Sequence, residues 1–224
     1  MPEQLSFPLT VRSALGRDDF FVSSANETAV AMIEGWQDWP ERKLALAAPE
    51  GSGKTHLALV WAELSGAQVI EADALTNADI PTLTHRPVAV ENCDLIAGDA
   101  RGEEALFHLH NLALAEGQSL LFTARRAPRL WALALPDLAS RMQATPTVSI
   151  EAPDDALLLA VLTKLFQDRQ ILPPPDLAPY LVRRIDRSFA AAHAIVDRLD
   201  KAALAAQRPL TRAFVRNLLD KTTG

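Results

Sequence analysis

The sequence predicts an α/β fold with a central parallel sheet flanked by helices, followed by a small all-helical domain. Short apolar runs alternate with helical segments over residues 43–150, an alternation typical of a parallel sheet covered by helices on both faces. After residue 153 the strand-like runs stop and only helical patterns remain. We therefore expect an extended tail at residues 1–10, an α/β domain at 11–150 and a helical domain at 151–224.

The individual elements follow from local patterns. Five short apolar runs are predicted to be strands: 44–47, 68–70, 88–90, 119–122 and 147–150. Four segments with helical periodicity are separated by prolines or a short polar break: 154–169, 176–184, 188–206 and 210–220. A polar cluster at 23–27 precedes an amphipathic pattern that ends at Trp36, which predicts a capped helix. Two prolines in the aperiodic residues 1–10 favour an extended tail.

Length and composition narrow the class of protein. The chain has 224 residues, of which 49% are hydrophobic and 22% charged, values usual for globular proteins. Its apolar runs are much shorter than the ~20 residues of a membrane-spanning helix, and its first residues lack the pattern of a secretory signal. The single cysteine, Cys93, cannot form an internal disulfide. We therefore expect a soluble, cytoplasmic protein without membrane association.

The charge distribution limits the binding partners. A net charge of −6 disfavours a protein whose main task is to hold a nucleic-acid backbone, since that affinity depends on Lys and Arg. Residues 176–224, however, contain more basic than acidic side chains. This segment is either a solvated helical surface or a contact for nucleic acid or an acidic partner.

A phosphate-binding loop is the strongest chemical signal. The segment Ala48–Thr55 follows a predicted strand and precedes a predicted helix, so backbone amides and a helix N-terminus converge on one point. Gly51 and Gly53 permit backbone conformations that a side chain would forbid. Lys54 is placed to reach phosphates, and Thr55 to hold Mg²⁺. The alternative is a glycine-rich turn that binds nothing, although such a turn needs no Gly-Lys-Thr.

A second acidic site is expected at the end of the third predicted strand. Nucleotide hydrolases of this type place an Asp there for Mg²⁺, and motor versions add a Glu that activates water. Here Glu91 is placed near the metal, and Asn92 occupies the position of the catalytic carboxylate. Because a neutral amide is a poor general base, the sequence predicts a site that holds nucleotide with little turnover. The alternative is a buried strand that ends in arbitrary polar residues.

Arginines lie at three further positions where a cation is useful. Arg141, after the loop that follows the fourth strand, is placed to reach a phosphate bound by a neighbouring molecule. Arg187 begins a helix of the small domain, where it is placed to lean over the phosphates. Thr123 and Arg125 lie at a strand tip that faces the nucleotide, where Thr123 is placed to sense the γ-phosphate. For each arginine the alternative is a solvated or salt-bridged surface charge.

Together these features resemble the AAA+ module of the bacterial replication initiator DnaA. The resemblance rests on the phosphate loop, the acidic strand end, Leu121–Pro128, Pro136–Arg141 and the helical lid, and it extends from Phe20 to the C-terminus. The chain ends at the lid, so we expect no specific DNA binding of its own. Its first residues are similar to short peptides that dock in the groove of the DNA polymerase sliding clamp. A module with such a tail resembles the Hda family, which acts in regulatory inactivation of DnaA.

The resemblance implies roles for individual residues. Nucleotide contacts would be Phe20, Phe21, Val22, Asn26, Gly51, Ser52, Gly53, Lys54, Thr55, His56 and Arg187, the first four of them around the adenine. Clamp contacts would be Gln4, Leu5, Ser6, Phe7, Pro8 and Leu9. Glu91 and Asn92 would form a Walker B-like strand end, with Mg²⁺ held through Thr55 and Glu91. Thr123 and Arg125 would form the sensor 1 region, Arg187 the lid sensor and Arg141 an arginine finger in trans.

The same resemblance implies a regulator of replication initiation. An AAA+ adaptor carrying ADP (or ATP) and Mg²⁺ would bind the sliding clamp, the β subunit of DNA polymerase III, and stimulate hydrolysis of DnaA-bound ATP through Arg141. It would associate with the replisome, and a homodimer is compatible with this role. Its own ATPase activity is expected to be weak because Asn92 replaces the catalytic acid. The alternatives are a self-sufficient AAA+ ATPase or helicase-loading factor, and an adaptor of the same module tethered to DNA or membrane.

Overall fold

Five parallel strands form one sheet in the computed structural model, which describes Val22, residues 24–206 and residues 208–220. The strands are β1 (Lys43–Ala47), β2 (Gln68–Glu71), β3 (Val88–Glu91), β4 (Leu120–Ala124) and β5 (Thr147–Ser149). Their spatial order is β2-β3-β4-β1-β5, and every pairing is parallel. This confirms the predicted parallel sheet. Its strands all end at the same edge, which is where ligands bind in sheets of this kind.

The register explains where the strand ends depart from the sequence prediction. Ala47 pairs with Ala124, so β4 continues past its predicted end at Phe122. β5 stops before Ile150, although the N–H of Ile150 still donates to the carbonyl of Ala47 at 2.9 Å. The central strands β1, β3 and β4 are buried throughout, whereas the edge strand β2 alternates between half-buried and exposed residues. Strands covered on both faces are apolar in this continuous way.

Helices cover both faces of the sheet. They are α1 (Glu27–Glu34), α2 (Lys54–Ser65), α3 (Ile80–Leu83), α4 (Ala100–Ala115) and α5 (Pro136–Gln143). Successive strand residues point to opposite faces, so Phe122 joins a core with α4 and α5 while Leu121 joins a core with α1 and α2. The helix predicted to reach Trp36 ends at Glu34, because Gly35 follows as its C-cap.

In the described part of the C-terminal domain there are four further helices: α6 (Asp155–Asp168), α7 (Leu177–Val182), α8 (Phe189–Ala206) and α9 (Arg212–Asp220). They confirm the predicted helical domain, with ends shorter than the periodicity suggested. Asp154 caps α6 by accepting a hydrogen bond from the N–H of Leu157 at 2.7 Å. The helices enclose a separate apolar core that includes Leu162 and Val196, both fully buried. Within the described residues, no helix has the length and apolar character needed to cross a membrane.

Candidate nucleotide-binding site

The loop between β1 and α2 has the backbone geometry of an anion-binding turn. Gly51 and Gly53 have φ values of 73° and 92°, in the left-handed region that favours glycine. Gly53 is the N-cap of α2, so the unpaired N–H groups and the positive dipole end of that helix begin at the loop. Ser52, between the glycines, is 1% exposed, and its Oγ has no hydrogen-bond partner among the described residues. A buried, unsatisfied hydroxyl in such a turn fits a bound phosphate.

A cavity of about 400 Å³ lies at the carboxyl edge of the sheet, beside this loop. Among the described residues, four parts of the chain line it: the loop with the first residues of α2, the segment after β3, the segment after β4 and the first residues of α8. The volume is within the range of ligand pockets. The α/β core and the helical domain therefore enclose one site between them.

Lys54 lies against the loop, and its ammonium group is largely buried. The residue is 8% exposed, and its Nζ donates to the carbonyl oxygens of Ala48 at 2.7 Å and Pro49 at 3.0 Å. Burial lowers the pKa of Lys54, the carboxylate of Asp94 acts in the opposite direction, and the guanidinium of Arg125 lowers the pKa further. A partly desolvated cation attracts an anion more strongly than one in water.

Thr55 and Glu91 meet beside the loop, as expected for a magnesium site. Glu91, at the end of β3, is 5% exposed, and its carboxylate hydrogen-bonds with the Thr55 side chain. Burial raises the pKa of Glu91, whereas the Thr55 hydrogen bond lowers it and the charge of Glu71 raises it. No group of three or more His, Cys, Asp and Glu side chains in the described ranges is arranged to hold a metal ion. The donor set fits Mg²⁺, which needs few protein ligands when it is shared with phosphates.

Asn92 is held at the cavity rim by two neighbouring strands. It adopts a left-handed conformation with φ 57°, and its backbone N–H donates to Thr123 Oγ1 at 3.1 Å. Its side-chain Nδ2 donates to a carboxylate oxygen of Glu71 at 2.8 Å. Thr123 is fully buried and is not part of the cavity lining, so its hydroxyl fixes the end of β3. The Asn92 amide is therefore already engaged as a hydrogen-bond donor.

Arg125 lines the cavity at the end of β4. Its guanidinium lies 3.2 Å from a carboxylate oxygen of Glu50 in the phosphate loop. Its backbone N–H donates to a carboxylate oxygen of Asp94 at 3.3 Å. The turn Cys93–Ile96 brings Asp94 towards the cavity, where it is the foremost charge raising the pKa of Lys54.

The first residues of α8 rest directly on the phosphate loop. The N–H of Phe189 donates to the carbonyl oxygen of Gly51 at 2.7 Å. A Cβ atom on Gly51 would lie 3.0 Å from the Cβ atoms of Ser188 and Ala190. Phe189 and Ala190 also line the cavity. A side chain at position 51 would crowd this close approach.

Arg187 lies next to this contact but is not part of the cavity lining. Its guanidinium lies 2.8 Å from a carboxylate oxygen of Asp155 at the start of α6, and both side chains are exposed. The structure thus places the predicted lid sensor outside the cavity lining, in an ion pair with a carboxylate of its own domain.

The other predicted nucleotide contacts are not part of the cavity lining. Val22 is 58% exposed, Asn26 is buried before α1, and His56 is half-buried in α2. Phe20 and Phe21 lie outside the described residues, as do the predicted clamp contacts Gln4, Leu5, Ser6, Phe7, Pro8 and Leu9. The cavity lining therefore unites Gly51, Gly53, Lys54, Thr55, Asn92 and Arg125 from the predicted set.

Arg141 lies away from the cavity, near the end of α5. Its side chain is exposed, and its guanidinium carbon lies 5.1 Å from the ring centre of Phe107 in α4. It is not part of the cavity lining. Its side chain is therefore exposed outside the candidate nucleotide-binding site.

Sequence reasoning missed the residues that complete the cavity from distant segments. Leu95, Phe189 and Ala190 line it, and Glu50 pairs with Arg125 across it. Their residue types carry no local signal of nucleotide binding. Only the proximity of Glu50 to the glycines could have suggested its role.

Comparison with known proteins found matches to the C-terminal helical domain and to the fold of most of the chain. Residues 155–219 match the family model described as "Hda, lid domain". Domain III of the replication initiation protein DnaA from Thermotoga maritima is 16% identical, with a TM-score of 0.76, over 92% of this chain and 96% of that one.

Two further solved structures share the fold at low identity. DnaA bound to AMPPCP and single-stranded DNA is 18% identical, with a TM-score of 0.68 over 82% of this chain. This chain spans 63% of that structure. The FIGL-1 AAA domain is 13% identical, with a TM-score of 0.69, over 91% of this chain and 82% of that one. The chain therefore shares the fold of these DnaA and FIGL-1 structures, and its C-terminal helices match the Hda lid-domain model.

Proposed function

We propose that this protein regulates replication initiation as an ADP-bound adaptor that binds the sliding clamp and stimulates hydrolysis of DnaA-bound ATP through Arg141. The observation that carries the proposal is the exposed position of Arg141 on α5, outside the protein's own cavity. A guanidinium there is available to a neighbouring molecule's phosphates. The Hda lid domain supports the same assignment.

The cavity supports a nucleotide-binding role for the protein itself. The backbone amides around Gly51 and Gly53 and the ammonium group of Lys54 would hold the phosphates. Thr55 and Glu91 would hold Mg²⁺, which neutralises phosphate charge when bound. A DnaA with the same fold was solved with AMPPCP, which supports an adenine nucleotide here.

The site is poorly equipped to hydrolyse what it binds. Asn92 stands where a motor needs a carboxylate, and its Nδ2 donates to Glu71. An amide held in this way has no basic atom to take a proton from water. We therefore assign the nucleotide a structural role, in which it holds the α/β core and the lid together around the cavity.

An arginine delivered in trans is sufficient for the proposed activity. A guanidinium presents planar N–H donors that match phosphate oxygens, and it stays charged during phosphoryl transfer. Arginine fingers accelerate such reactions by roughly 10³- to 10⁵-fold. Loss of Arg141 alone should therefore remove most of the stimulation.

The assay is turnover of DnaA-bound ATP in the presence of clamps loaded on DNA. Arg141→Ala should abolish stimulation, while Arg129→Ala, a change at another exposed arginine before α5, should leave it intact. ADP affinity should be unchanged in both variants, because neither residue lines the cavity. Full stimulation by Arg141→Ala would refute the arginine-finger assignment.

Clamp binding is tested separately. Deletion of residues 4–9 should abolish binding to purified clamp and leave ADP binding intact, since extended peptides of this type supply their own groove contacts. Persistent clamp binding would overturn the role of the tail. ATP turnover by the isolated protein of about 1 s⁻¹ or more would favour a self-sufficient ATPase instead.

A further inference from the structure

The start of α5 is tied to α4 by one buried carboxylate. Glu103 of α4 is 1% exposed, and its Oε1 accepts hydrogen bonds from the N–H groups of Gly98 at 2.7 Å and Ala134 at 3.0 Å. Its Oε2 accepts from the N–H of Leu135 at 2.6 Å. Leu135 is the N-cap residue of α5, and Pro136 after it has no N–H to offer. The Glu103 carboxylate therefore binds the last backbone donors before α5.

The hydrogen bonds keep this carboxylate ionised. Burial alone would raise the pKa of Glu103, but the backbone N–H groups of Ala134, Gly98 and Leu135 together lower it. A negative charge at the start of α5 also complements the positive end of the helix dipole. The contact therefore depends on the orientation of the Glu103 carboxylate, since both of its oxygens must accept hydrogen bonds.

The end of α5 also contacts α4, one helical turn beyond Glu103. Phe107 follows Glu103 by four residues, so the two side chains lie on one face of α4. The Phe107 ring faces the Arg141 guanidinium at 5.1 Å and packs against the core that contains Leu138 and Met142 of α5. A cation over an aromatic face is attracted to it, which restricts the rotamers of a long side chain.

We propose that Glu103 and Phe107 are positioning residues for Arg141: α4 fixes both ends of the short α5 helix and holds the guanidinium before a partner arrives. This inference rests on the proposed function of Arg141. A preorganised side chain loses less conformational freedom when it binds a transition state, so its contribution appears in the rate. Neither Glu103 nor Phe107 lines the cavity.

Phe107→Leu is the first test variant, because leucine keeps an apolar side chain in the core and removes the ring. The maximal rate of DnaA-bound ATP hydrolysis should fall roughly three- to tenfold, the effect expected from losing a cation–π contact. The concentration that gives half-maximal stimulation, the ADP affinity and the melting temperature should stay close to wild type. His108→Leu, at an exposed neighbour on α4, is the matched control and should stimulate normally.

Glu103→Gln is the second variant, with Glu104→Gln as its control because Glu104 is 70% exposed on the same helix. A glutamine has one acceptor oxygen for three N–H donors, so α5 should loosen and the maximal rate should fall at least as much as with Phe107→Leu. If Glu103→Gln does not fold, Phe107→Leu decides the question alone.

Different results would refute the proposed function of Arg141 and the positioning role of Glu103 and Phe107. If Arg141→Ala stimulates like wild type, the proposed function is wrong and the positioning role falls with it. If Arg141→Ala abolishes stimulation but Phe107→Leu matches the His108→Leu control in maximal rate, only the positioning role is overturned. A loss confined to the half-maximal concentration, or a matching loss of ADP affinity, would likewise overturn it by indicating a merely structural contribution.

Discussion

The carbonyl oxygen of Gly51 accepts a hydrogen bond from the N–H of Phe189 at 2.7 Å, which joins the phosphate loop to the first residue of α8. The two residues belong to different parts of the chain, and both line the cavity. A ligand in the cavity thus contacts the loop and the lid at once. Disturbing this contact should weaken nucleotide binding and domain association together.

The first prediction concerns Gly51→Ala. The new Cβ would lie 3.0 Å from the Cβ atoms of Ser188 and Ala190, and the φ of 73° is unfavourable for alanine. We expect ADP affinity to fall roughly tenfold, equivalent to ~1.4 kcal/mol, and the melting temperature to decrease. Calorimetric titration with ADP measures the first effect.

Gly66→Ala is a matched control for this change. Gly66 has nearly the same conformation, with φ 72°, but a Cβ there would have no neighbour within 4 Å among the described residues. The Gly66→Ala variant therefore measures only the cost of placing alanine in this backbone conformation, which is about 1 kcal/mol in the free energy of unfolding. Equal ADP affinities for the two variants would show that the contact with α8 does not matter for binding.

The second prediction concerns Asn92→Asp, which introduces a carboxylate at the end of β3. The Asn92 amide donates to the Glu71 carboxylate at 2.8 Å. An aspartate at position 92 would therefore place a negative charge next to that of Glu71. We expect a loss of roughly 0.5–1 kcal/mol in the free energy of unfolding, as for other like-charge contacts between neighbouring strands. Urea denaturation measures it.

A substitution at Glu71 tests whether charge repulsion between positions 71 and 92 causes the loss of stability. E71Q alone should be nearly neutral, because a glutamine oxygen can still accept from Asn92. N92D combined with E71Q should recover the stability lost in N92D. If the double variant is no more stable than N92D, the Glu71 charge is not the cause.

The sheet, the lid helices and the phosphate loop were predictable because their signals are local. Strand burial produces apolar runs, and the loop needs glycines next to Lys54 in the sequence. The role of Asp94 was missed because the left-handed turn at Asn92 reverses the chain, which a strand pattern does not reveal. Glu103 was missed because its partners Ala134 and Leu135 lie 31 and 32 residues away, and a glutamate on a helix usually faces solvent.

The third prediction is a pH dependence of magnesium-assisted ADP binding. Burial raises the pKa of Glu91, although Thr55 opposes the shift, and only the ionised carboxylate can hold Mg²⁺. As the pH falls towards this raised pKa, affinity should decline earlier than for an ordinary carboxyl group. Titrations with ADP and Mg²⁺ across pH 7 to 5 measure the decline.

Two comparisons separate the effect of Glu91 protonation from the effect of protonation of ADP itself. The extra decline should be absent in Glu91→Gln, and it should be absent in wild type when Mg²⁺ is replaced by a chelator. If wild type and Glu91→Gln respond identically to pH in the presence of Mg²⁺, Glu91 is not a metal ligand.

The fourth prediction concerns stability in mild acid. His110 of α4 is 1% exposed, its Nε2 has no hydrogen-bond partner among the residues described, and burial lowers its pKa to about 4. An unfolded chain binds a proton on this histidine near pH 6.5, whereas the folded protein does not. The stabilising effect of the neutral ring is therefore complete above pH 6.5 and is lost as the pH falls towards 4. The loss is at most ~1.4 kcal/mol per pH unit, the effect of one proton.

Chemical denaturation of wild type and His110→Gln at pH 7, 6.5, 6, 5.5 and 5 tests this origin. The difference in unfolding free energy between the two proteins should shrink as the pH falls, because only wild type carries the titrating ring. His193, whose pKa burial also lowers, is present in both proteins and cancels in the comparison. His108→Gln, at an exposed position on the same helix, should follow the wild-type profile. A difference between wild type and His110→Gln that stays constant over this pH range would mean that His110 is protonated equally in the folded and unfolded states, contrary to its burial against Phe122.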